Sequence, residues 1–200
     1  MTNIIDKSIE NYINNKNNLT QNYSFSKFPT EKLDYLLKNR FSVIEFEYGN
    51  PVSRNDLLDL LNFAENNNNI SFEMFAITNN MVENEYSNKM IKYNNGHLDI
   101  LNECNSKDNL YLQKEYSKAS VVILFTCDIN HTIQKLNITY EQILQEIGTI
   151  SQLLWLKAID KNMFGSVFAG TLQKELKQLV DIDYITKHQI FALGLSTKRR

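Results

Sequence analysis

Apolar residues are densest between residues 139 and 170, where they recur with a helical period. The repeat runs at i, i+4, i+7 and i+11 and is widened by leucines, at Ile143, Ile147, Ile150 and Leu154 and at Leu144, Leu153 and Leu156. Thr139 with Gln142 three residues later forms a capping box, which predicts that a helix begins here. Because apolar residues occupy most of its circumference, we expect a central helix rather than a surface helix.

A glycine-marked apolar segment follows this helix. After Asn162 the pattern changes to MFGSVFAG, which Gly165 and Gly170 punctuate. Such a pattern is typical of a short strand. A helix from Thr171 and a last buried strand, HQIFALGL, are predicted to follow.

The first half of the chain predicts two short helices. The leucines of TEKLDYLLKNR favour a helix from Thr30 that ends at Arg40, and FSVIEF then indicates a brief extended piece. Ser53 caps the second helix. Its inward positions are Leu57, Leu60, Leu61 and Ala64.

The middle of the chain predicts strands. ISFEMFAIT from Ile70 reads as one strand, and MIKYNNGHLDIL reads as two that meet at the turn Asn94–Gly96. Residues 108–118 predict a helix. ASVVILFTCD is apolar throughout, so we expect an interior strand that is covered on both faces.

The order of these elements predicts an α+β domain with a mixed, mostly antiparallel sheet flanked by helices. At 200 residues the chain fits one domain, which we assign to residues 30–200. Residues 1–29 are rich in asparagine and are interpreted as an N-terminal arm that packs on a partner subunit or remains mobile.

Charge and cysteine usage narrow the classes of function. With 21 basic and 23 acidic residues the net charge is -2, so neither nucleic acid nor a membrane surface is the expected partner. The absence of a signal-peptide pattern favours a cytoplasmic protein. Cys104 and Cys127 lack a CxxC spacing, and His97, His131 and His188 lack metal-ligand spacing, so we expect reduced thiols and no metal.

Four motifs occur in the order found in one group of flavoproteins. They are FSVIEF followed by PVSRNDLLDLLNFA, ASVVILFT followed by Lys135, EIGTISQLLWL from Glu146, and GSVFAG from Gly165. Between Arg40 and Leu195 the chain therefore resembles the nitroreductase-like proteins. Among these it is most similar to the SagB-type dehydrogenases, the oxidases of thiazole and oxazole peptide biosynthesis.

This resemblance implies a nitroreductase-like fold that binds FMN at the interface of a homodimer, with the long helix forming much of the contact. Gly148 inside that helix costs about 1 kcal/mol relative to alanine. A close approach of two helices would explain the glycine. A helix buried within a monomer, with an incidental glycine, is the alternative.

The resemblance also implies the flavin ligands. Arg40 resembles the arginine that pairs with the FMN phosphate through two charge-assisted hydrogen bonds, the alternative being a solvated arginine that ends a helix. Ser42 resembles the serine on the ribityl or phosphate group. Gly170 resembles the residue whose backbone N–H points at flavin N5. A late basic phosphate ligand would come from Lys198 or Arg199, unless the terminal KRR is a solvated tail.

For catalysis, Lys135 resembles the lysine that is proposed to remove a proton from the azoline ring while a hydride passes to the flavin. A surface lysine is the alternative. The tyrosine that usually follows this lysine is Leu136 here, and Tyr140 is the candidate to replace it.

Two departures from the family pattern leave two kinds of function open. The second basic residue of the opening motif is Ile44, and the glycine-rich segment that normally contacts the flavin is reduced to NNNNI between Glu65 and Phe72. The first interpretation is an FMN-dependent oxidoreductase that oxidises azoline rings of a peptide, or a generic nitroreductase that acts on a small molecule. The second is a flavin-free scaffold or binding subunit in a complex of modifying enzymes.

Overall fold

The structure, a computed structural model, describes residues 30–104, 109–180, 182 and 186–198, so the predicted arm lies outside the described residues. Its centre is a six-stranded sheet in the order β3-β2-β1-β4-β6-β5. The strands are β1 Glu73–Thr78, β2 Lys89–Asn94, β3 His97–Glu103, β4 Val121–Asp128, β5 Met163–Phe168 and β6 Lys187–Thr197. The α-helices are α1 Thr30–Lys38, α2 Arg54–Glu65, α3 Ile129–Leu136, α4 Tyr140–Asp160 and α5 Gln173–Leu179.

Every named strand pair is antiparallel, which confirms a sheet of mainly antiparallel type. Among the described residues, parallel pairing is limited to the isolated bridges Ser42–Gly165 and Val52–Met81. The predicted turn between β2 and β3 is present, with Asn95 at φ 47° and Gly96 at φ 83°. The apolar strand β4 lies inside the sheet, between β1 and β6, as its pattern predicts.

The long helix α4 begins with the predicted capping box. Gln142 N–H donates to Thr139 Oγ1 at 3.3 Å, and Thr139 N–H donates to Gln142 Oε1 at 2.7 Å. The apolar positions of α4 are mostly buried by other elements of the same chain. What α4 leaves exposed or half-buried is mainly polar or small, namely Tyr140, Glu141, Leu144, Gln145, Gly148, Thr149, Gln152, Lys157, Ile159 and Asp160. The apolar circumference therefore does not itself require a second subunit, and the homodimer stays a prediction.

The sheet carries a different layer on each face. Helices α2 and α4 bury one face, with Leu60, Ile147 and Phe125 among the fully buried residues. The other face is covered by an irregular segment around Tyr116 and by Leu176 of α5. The candidate site lies at the edge of this second layer.

The helix predicted over residues 108–118 is wrong. Tyr111 instead forms an antiparallel bridge with Thr171, and of the described residues 109–118 only Lys114–Lys118 is helical, as a short 3₁₀ helix. The buried residues Tyr111 and Tyr116 are five positions apart and do not share one α-helical face. Conversely, INHTIQKLN, for which no element was predicted, forms α3, and the side chain of Asp128 caps it by accepting from His131 N–H at 2.9 Å.

Candidate functional site

The site begins at a close approach of strands β5 and β6. A Cβ atom at Gly165 would lie 1.8 Å from the carbonyl oxygen of Gly194, so only glycine fits there. On its other side Gly165 accepts a hydrogen bond from Val43 N–H at 3.1 Å, and Ser42 forms a parallel bridge with it. The chain from Ser42 to Val43 thus covers the outer edge of β5 at Gly165.

Beyond Gly165 the outer edge of β5 is open. The Gly165 carbonyl points away from β6, and backbone groups alternate in direction along an antiparallel strand, so Val167 directs its N–H and C=O outward as well. The backbone N–H of Gly170 makes no hydrogen bond to another of the described residues. The Tyr111–Thr171 bridge then closes the edge again. Between the two bridges the Gly170 N–H is therefore free to bind a ligand, whereas the Val167 carbonyl accepts from Ser166 Oγ at 3.3 Å and the Ala169 carbonyl accepts from Gln189 Nε2 at 3.3 Å.

A cavity of about 610 Å³ lies against this open edge. Its lining combines apolar, hydroxyl and backbone groups, from Ser42, Ile44, Leu112, Gln113, Tyr116, Ser166, Val167, Phe168, Ala169 and Gly170. The volume lies in the usual range for small-molecule sites. The structure therefore brings together Ser42 and Gly170, two of the residues that the sequence proposed for the flavin.

Tyr116 and Phe168 form the aromatic wall of the cavity. Their rings stack with centroids 3.6 Å apart and an interplanar angle of 18°. Gly194 makes room for Tyr116, because a Cβ there would lie 2.7 Å from Tyr116 Cδ1. Burial raises the pKa of the Tyr116 phenol, and the nearby Glu115 carboxylate acts in the same direction, whereas a hydrogen bond from Ser166 opposes them.

Two serine hydroxyls meet beside the phenol. Ser42 Oγ and Ser166 Oγ are 2.7 Å apart, and Ser166 is almost fully buried whereas Ser42 is exposed. Ser166 was part of the GSVFAG motif but was not assigned a role. Tyr116 carries no local sequence signal, because a long-range fold contact brings it to the cavity.

Arg40 lies elsewhere. Its guanidinium carbon is 4.9 Å from the ring centroid of Trp155, which belongs to the core on the α4 side of the sheet. Arg40 does not line the cavity. The arginine that the resemblance assigns to the FMN phosphate therefore packs on the ring of Trp155, although it lies only two residues before Ser42 in the chain.

The other predicted phosphate ligands are distant from Gly170. Lys198 follows the end of β6, where its N–H donates to the Asn162 carbonyl at 3.0 Å. Because β5 and β6 are antiparallel, this position is at the opposite end of β5 from Gly170. Arg199 lies outside the described residues.

Lys135 and Tyr140 lie on either side of the connection between α3 and α4. Both are exposed, and Asn137 between them ends α3 in the left-handed conformation at φ 51°. Neither side chain lines the cavity. The structure thus does not bring the two predicted catalytic residues to Ser42 and Gly170 within this chain.

Ile44, which replaces a basic residue of the family pattern, separates the cavity from a second one of about 630 Å³. The charged residues of this second cavity are Glu45, Glu47, Lys114, Glu115 and Lys118. Lys118 is paired with Glu47. The shortened segment between Glu65 and Phe72 lines neither of these two cavities.

Glu146 of α4 is a buried ionisable group, whereas a glutamate on a helix is ordinarily solvated or ion-paired. It is 3% exposed, and Asn69 Nδ2 donates to its Oε2 at 3.4 Å. No ion pair to Glu146 occurs among the described residues. Burial raises its pKa to about 7.

Metal and membrane features are absent from the described part of the chain. No group of three His, Cys, Asp or Glu side chains there is placed to hold a metal ion. Cys104 and Cys127 are buried and unbridged, and burial raises the pKa of the Cys127 thiol. No helix in the ranges that the structure covers has the length and apolar character needed to span a bilayer.

No protein-family model matches this sequence, and no curated protein matches it significantly. A protein of Anabaena variabilis assigned as a nitroreductase superposes with a TM-score of 0.66 and 19% identity, over 84% of this chain and 38% of that one. The E. coli microcin synthetase McbBCD complex with truncated pro-MccB17 gives 0.60 and 15%, over 90% and 73%. The FMN-dependent nitroreductase of Clostridium difficile R20291 gives 0.52 and 9%, over 82% and 87%. The chain spans 38% of the Anabaena protein's length.

These similarities show the fold. The chain has a nitroreductase-like fold of α+β class, in which an antiparallel sheet is flanked by helices, as the sequence predicted.

Proposed function

We propose that this nitroreductase-like chain is an FMN-dependent oxidoreductase whose flavin binds in the cavity between Ser42 and Gly170. The observation that carries the proposal is the open edge of β5, where the Gly170 N–H has no hydrogen-bond partner among the described residues. An amide donor at this position suits flavin N5, because it stabilises negative charge on the reduced ring.

The residues present fit the ring of a flavin better than its phosphate. Tyr116 and Phe168 offer aromatic surface, Val167 and Gly170 offer backbone hydrogen-bonding groups, and Ser42 offers a hydroxyl for the ribityl chain. When bound, the flavin would supply two-electron chemistry that the side chains cannot perform. For the phosphate, Arg40 would have to leave Trp155, since none of the described lysines and arginines lines the cavity.

For the substrate, we propose an azoline ring in a peptide, which becomes an azole. Support comes from the SagB-type motifs and from the fold similarity to the McbBCD synthetase, which covers 90% of this chain. Lys135 with Tyr140 remains the proposed source of the base, supplied from the exposed α3–α4 connection. A homodimer, or a complex with other modifying enzymes, would supply the surroundings of these residues.

A flavin-free binding subunit is the second candidate, and the uncharged lining of the cavity favours it. Such a protein would use the backbone N–H groups of Val167 and Gly170 to hold a partner and would have no cofactor.

The experiment is a titration of the purified full-length chain with FMN, followed by flavin fluorescence and absorbance. Wild-type protein is expected to bind FMN, and Gly170→Ala to bind it at least about tenfold more weakly, because its methyl group would take up space in the cavity that Gly170 lines. The fold tolerates this variant, since its Cβ would lie 4.0 Å from Leu112 Cδ1. Ser117→Ala, whose hydroxyl bonds the Lys114 carbonyl outside this cavity, is the control and should bind as wild type. Wild-type protein that retains no flavin absorbance once excess FMN has been removed supports the flavin-free binding subunit instead.

The azoline step is tested on the FMN-loaded protein. An azoline-containing peptide is expected to lose two hydrogen atoms per ring, as measured by mass spectrometry, and Lys135→Ala to lose turnover while retaining FMN. Full activity of Lys135→Ala would remove the proposed role of that lysine. Unchanged FMN retention in Arg40→Ala would remove the phosphate assignment of Arg40.

A further inference from the structure

The second cavity, of about 630 Å³, lies beside the cavity proposed for the flavin, and the exposed side chain of Ile44 lines both. We call the flavin cavity the first compartment and its neighbour the second compartment. Two short 3₁₀ helices, Phe46–Tyr48 and Lys114–Lys118, border the second compartment, and an ion pair between Glu47 and Lys118 joins them. Its volume is large enough for a ligand group of its own.

A layer of aromatic rings fixes the two compartments relative to each other. Phe46, which lines the second, and Tyr116, which lines the first, are each 2% exposed, and their ring centroids are 5.7 Å apart. Phe164 stacks on Phe46 at 5.8 Å, and Phe168 stacks on Tyr116. Buried rings that pack on one another do not move independently. A ligand that reaches both compartments therefore meets a preorganised groove.

The second compartment is charged, whereas no charged side chain lines the first. Its carboxylates are Glu45, Glu47 and Glu115, and its ammonium groups are Lys114 and Lys118. Glu47 and Lys118 neutralise each other. No ion pair to Glu45, Glu115 or Lys114 occurs among the residues that the structure describes. Two unpaired carboxylates against one unpaired ammonium group leave the compartment with an excess of negative charge.

We propose that the second compartment binds a lysine or arginine side chain of the substrate, next to the azoline ring that is oxidised at the flavin in the first. The proposal rests on the function proposed above, and it makes the substrate a basic peptide rather than a small neutral molecule. Glu45 and Glu115 bind the cationic group. The uncharged, aromatic first compartment receives the ring.

The same charges exclude the second compartment as a site for the FMN phosphate. A phosphate there would gain the attraction of Lys114, but it would share the cavity with the carboxylates of Glu45 and Glu115. Like charges repel and opposite charges attract, so the balance is unfavourable for an anion and favourable for a cation. A cationic side chain is thus the group that this compartment suits.

The spacing of the compartments sets where the basic residue must stand in the peptide. One side chain, Ile44, separates the two. An extended peptide advances about 3.3–3.6 Å per residue, so three residues span about 10 Å. We expect the basic residue to act when it lies one to three positions from the ring, and to have no effect at ten positions.

The first test uses the flavin-free full-length chain and needs no turnover. The probes are short peptides with a stable thiazole ring and, two positions away on either side, lysine or glutamate. Nitrogen-15 NMR is expected to show amide shifts at Glu45 and Glu115 and about threefold to tenfold tighter binding of the lysine peptide. This preference should shrink from about 0.1 M to about 1 M salt, since the Debye length falls from about 10 Å to about 3 Å. Equal affinities for lysine and glutamate, on both sides of the ring, overturn the proposal.

Charge reversal separates a specific site from the general field of the protein. Glu45→Lys combined with Glu115→Lys is expected to invert the preference, so that the glutamate peptide binds more tightly. Both positions are exposed, so the fold should tolerate the change. The matched control combines Glu31→Lys with Glu85→Lys, which changes the net charge equally at exposed positions that line neither compartment. The control should keep the lysine preference, and a Glu45/Glu115 variant that also keeps it contradicts the proposed cation site.

The last test uses FMN-loaded protein and azoline peptides of the same design. The lysine peptide is expected to have a KM about threefold to tenfold lower than the glutamate peptide at a similar kcat, because the cation contributes to binding and not to the chemical step. Equal KM values overturn the cation site and leave the proposed function standing. If the wild-type chain binds no FMN, the oxidoreductase is overturned, and a lysine preference of the flavin-free chain then identifies a binding subunit for basic peptides.

Discussion

The replacement Glu146→Gln tests whether the buried carboxyl of α4 sets the pH dependence of stability. The side chain is 3% exposed, and its polar contact is Asn69 Nδ2 at 3.4 Å. A carboxylate in this position lacks the hydration that it has in the unfolded chain. Burial accordingly raises the pKa from 4.5 to about 7. Glutamine keeps the shape and removes the charge, and Asn69 can turn its amide to present an oxygen.

The sign follows from proton linkage. Below pH 4.5 the Glu146 carboxyl is neutral in both the folded and the unfolded chain, so its burial does not lower the free energy of unfolding. Between pH 4.5 and about 7 the unfolded chain ionises first, so the wild-type free energy of unfolding falls as pH rises. At about 1.4 kcal/mol per pH unit the loss reaches on the order of 3 kcal/mol and is complete above pH 7. Glu146→Gln should therefore be more stable than wild type by about this amount at pH 8, and equal to it at pH 4.5, apart from a constant offset.

Urea denaturation at half-unit steps from pH 4.5 to pH 8 measures the difference between the two proteins. Glu85→Gln, on an exposed 3₁₀ turn, is the matched control for the loss of one acidic group. A difference between wild type and Glu146→Gln that stays flat over this range, or that grows toward acid pH, would refute the reasoning, because neither result is compatible with a buried carboxyl of raised pKa.

Three further substitutions test the packing and the helix. Gly165→Ala would place a Cβ 1.8 Å from the Gly194 carbonyl oxygen, so the free energy of unfolding should fall by more than about 3 kcal/mol in urea denaturation, and near wild-type stability would contradict the approach of the two strands. In Gly148→Ala the new Cβ would lie 3.8 Å from Phe191 Cε2, an ordinary contact, so the free energy of unfolding of a monomer should rise by about 0.5–1 kcal/mol. If sedimentation shows instead that the substitution dissociates a dimer, a second subunit packs on this glycine. Thr139→Ala removes the capping box and should cost about 1 kcal/mol, as followed by thermal unfolding, and Thr139→Ser should restore most of it.

Elements with a clear period were predictable from the sequence. The α4 capping box, the inward leucines of α2 and the turn at Asn95 each carry a local chemical signal, and the structure contains all three. The helix prediction for residues 108–118 failed because tertiary contacts determine the conformation of this segment. Tyr111 pairs with Thr171, and Tyr116 stacks on Phe168. Local propensity has no information about such partners.

The site was only partly predictable, for the same reason. Ser42 and Gly170 were found through family motifs, and the structure places both at one cavity. Tyr116 was missed, since its role depends on a ring stack and a glycine that are distant in sequence. The burial of Glu146 was not predicted either, because a glutamate among apolar neighbours gives no sign of whether its carboxyl reaches water.

The two bridges that border the open edge of β5 also bear on folding and solubility. Ser42 and Ser166 are 124 residues apart in sequence, so the cavity is closed by one of the longest loops in the chain. During folding, the outer edge of β5 stays unpaired until the residues around Ser42 bind to it. An unpaired strand edge is a template for association with another chain. A truncation that removes residues up to Val43 is therefore expected to aggregate through β5. The short segment that helps to form the ligand site also prevents another chain from pairing with this edge of the sheet.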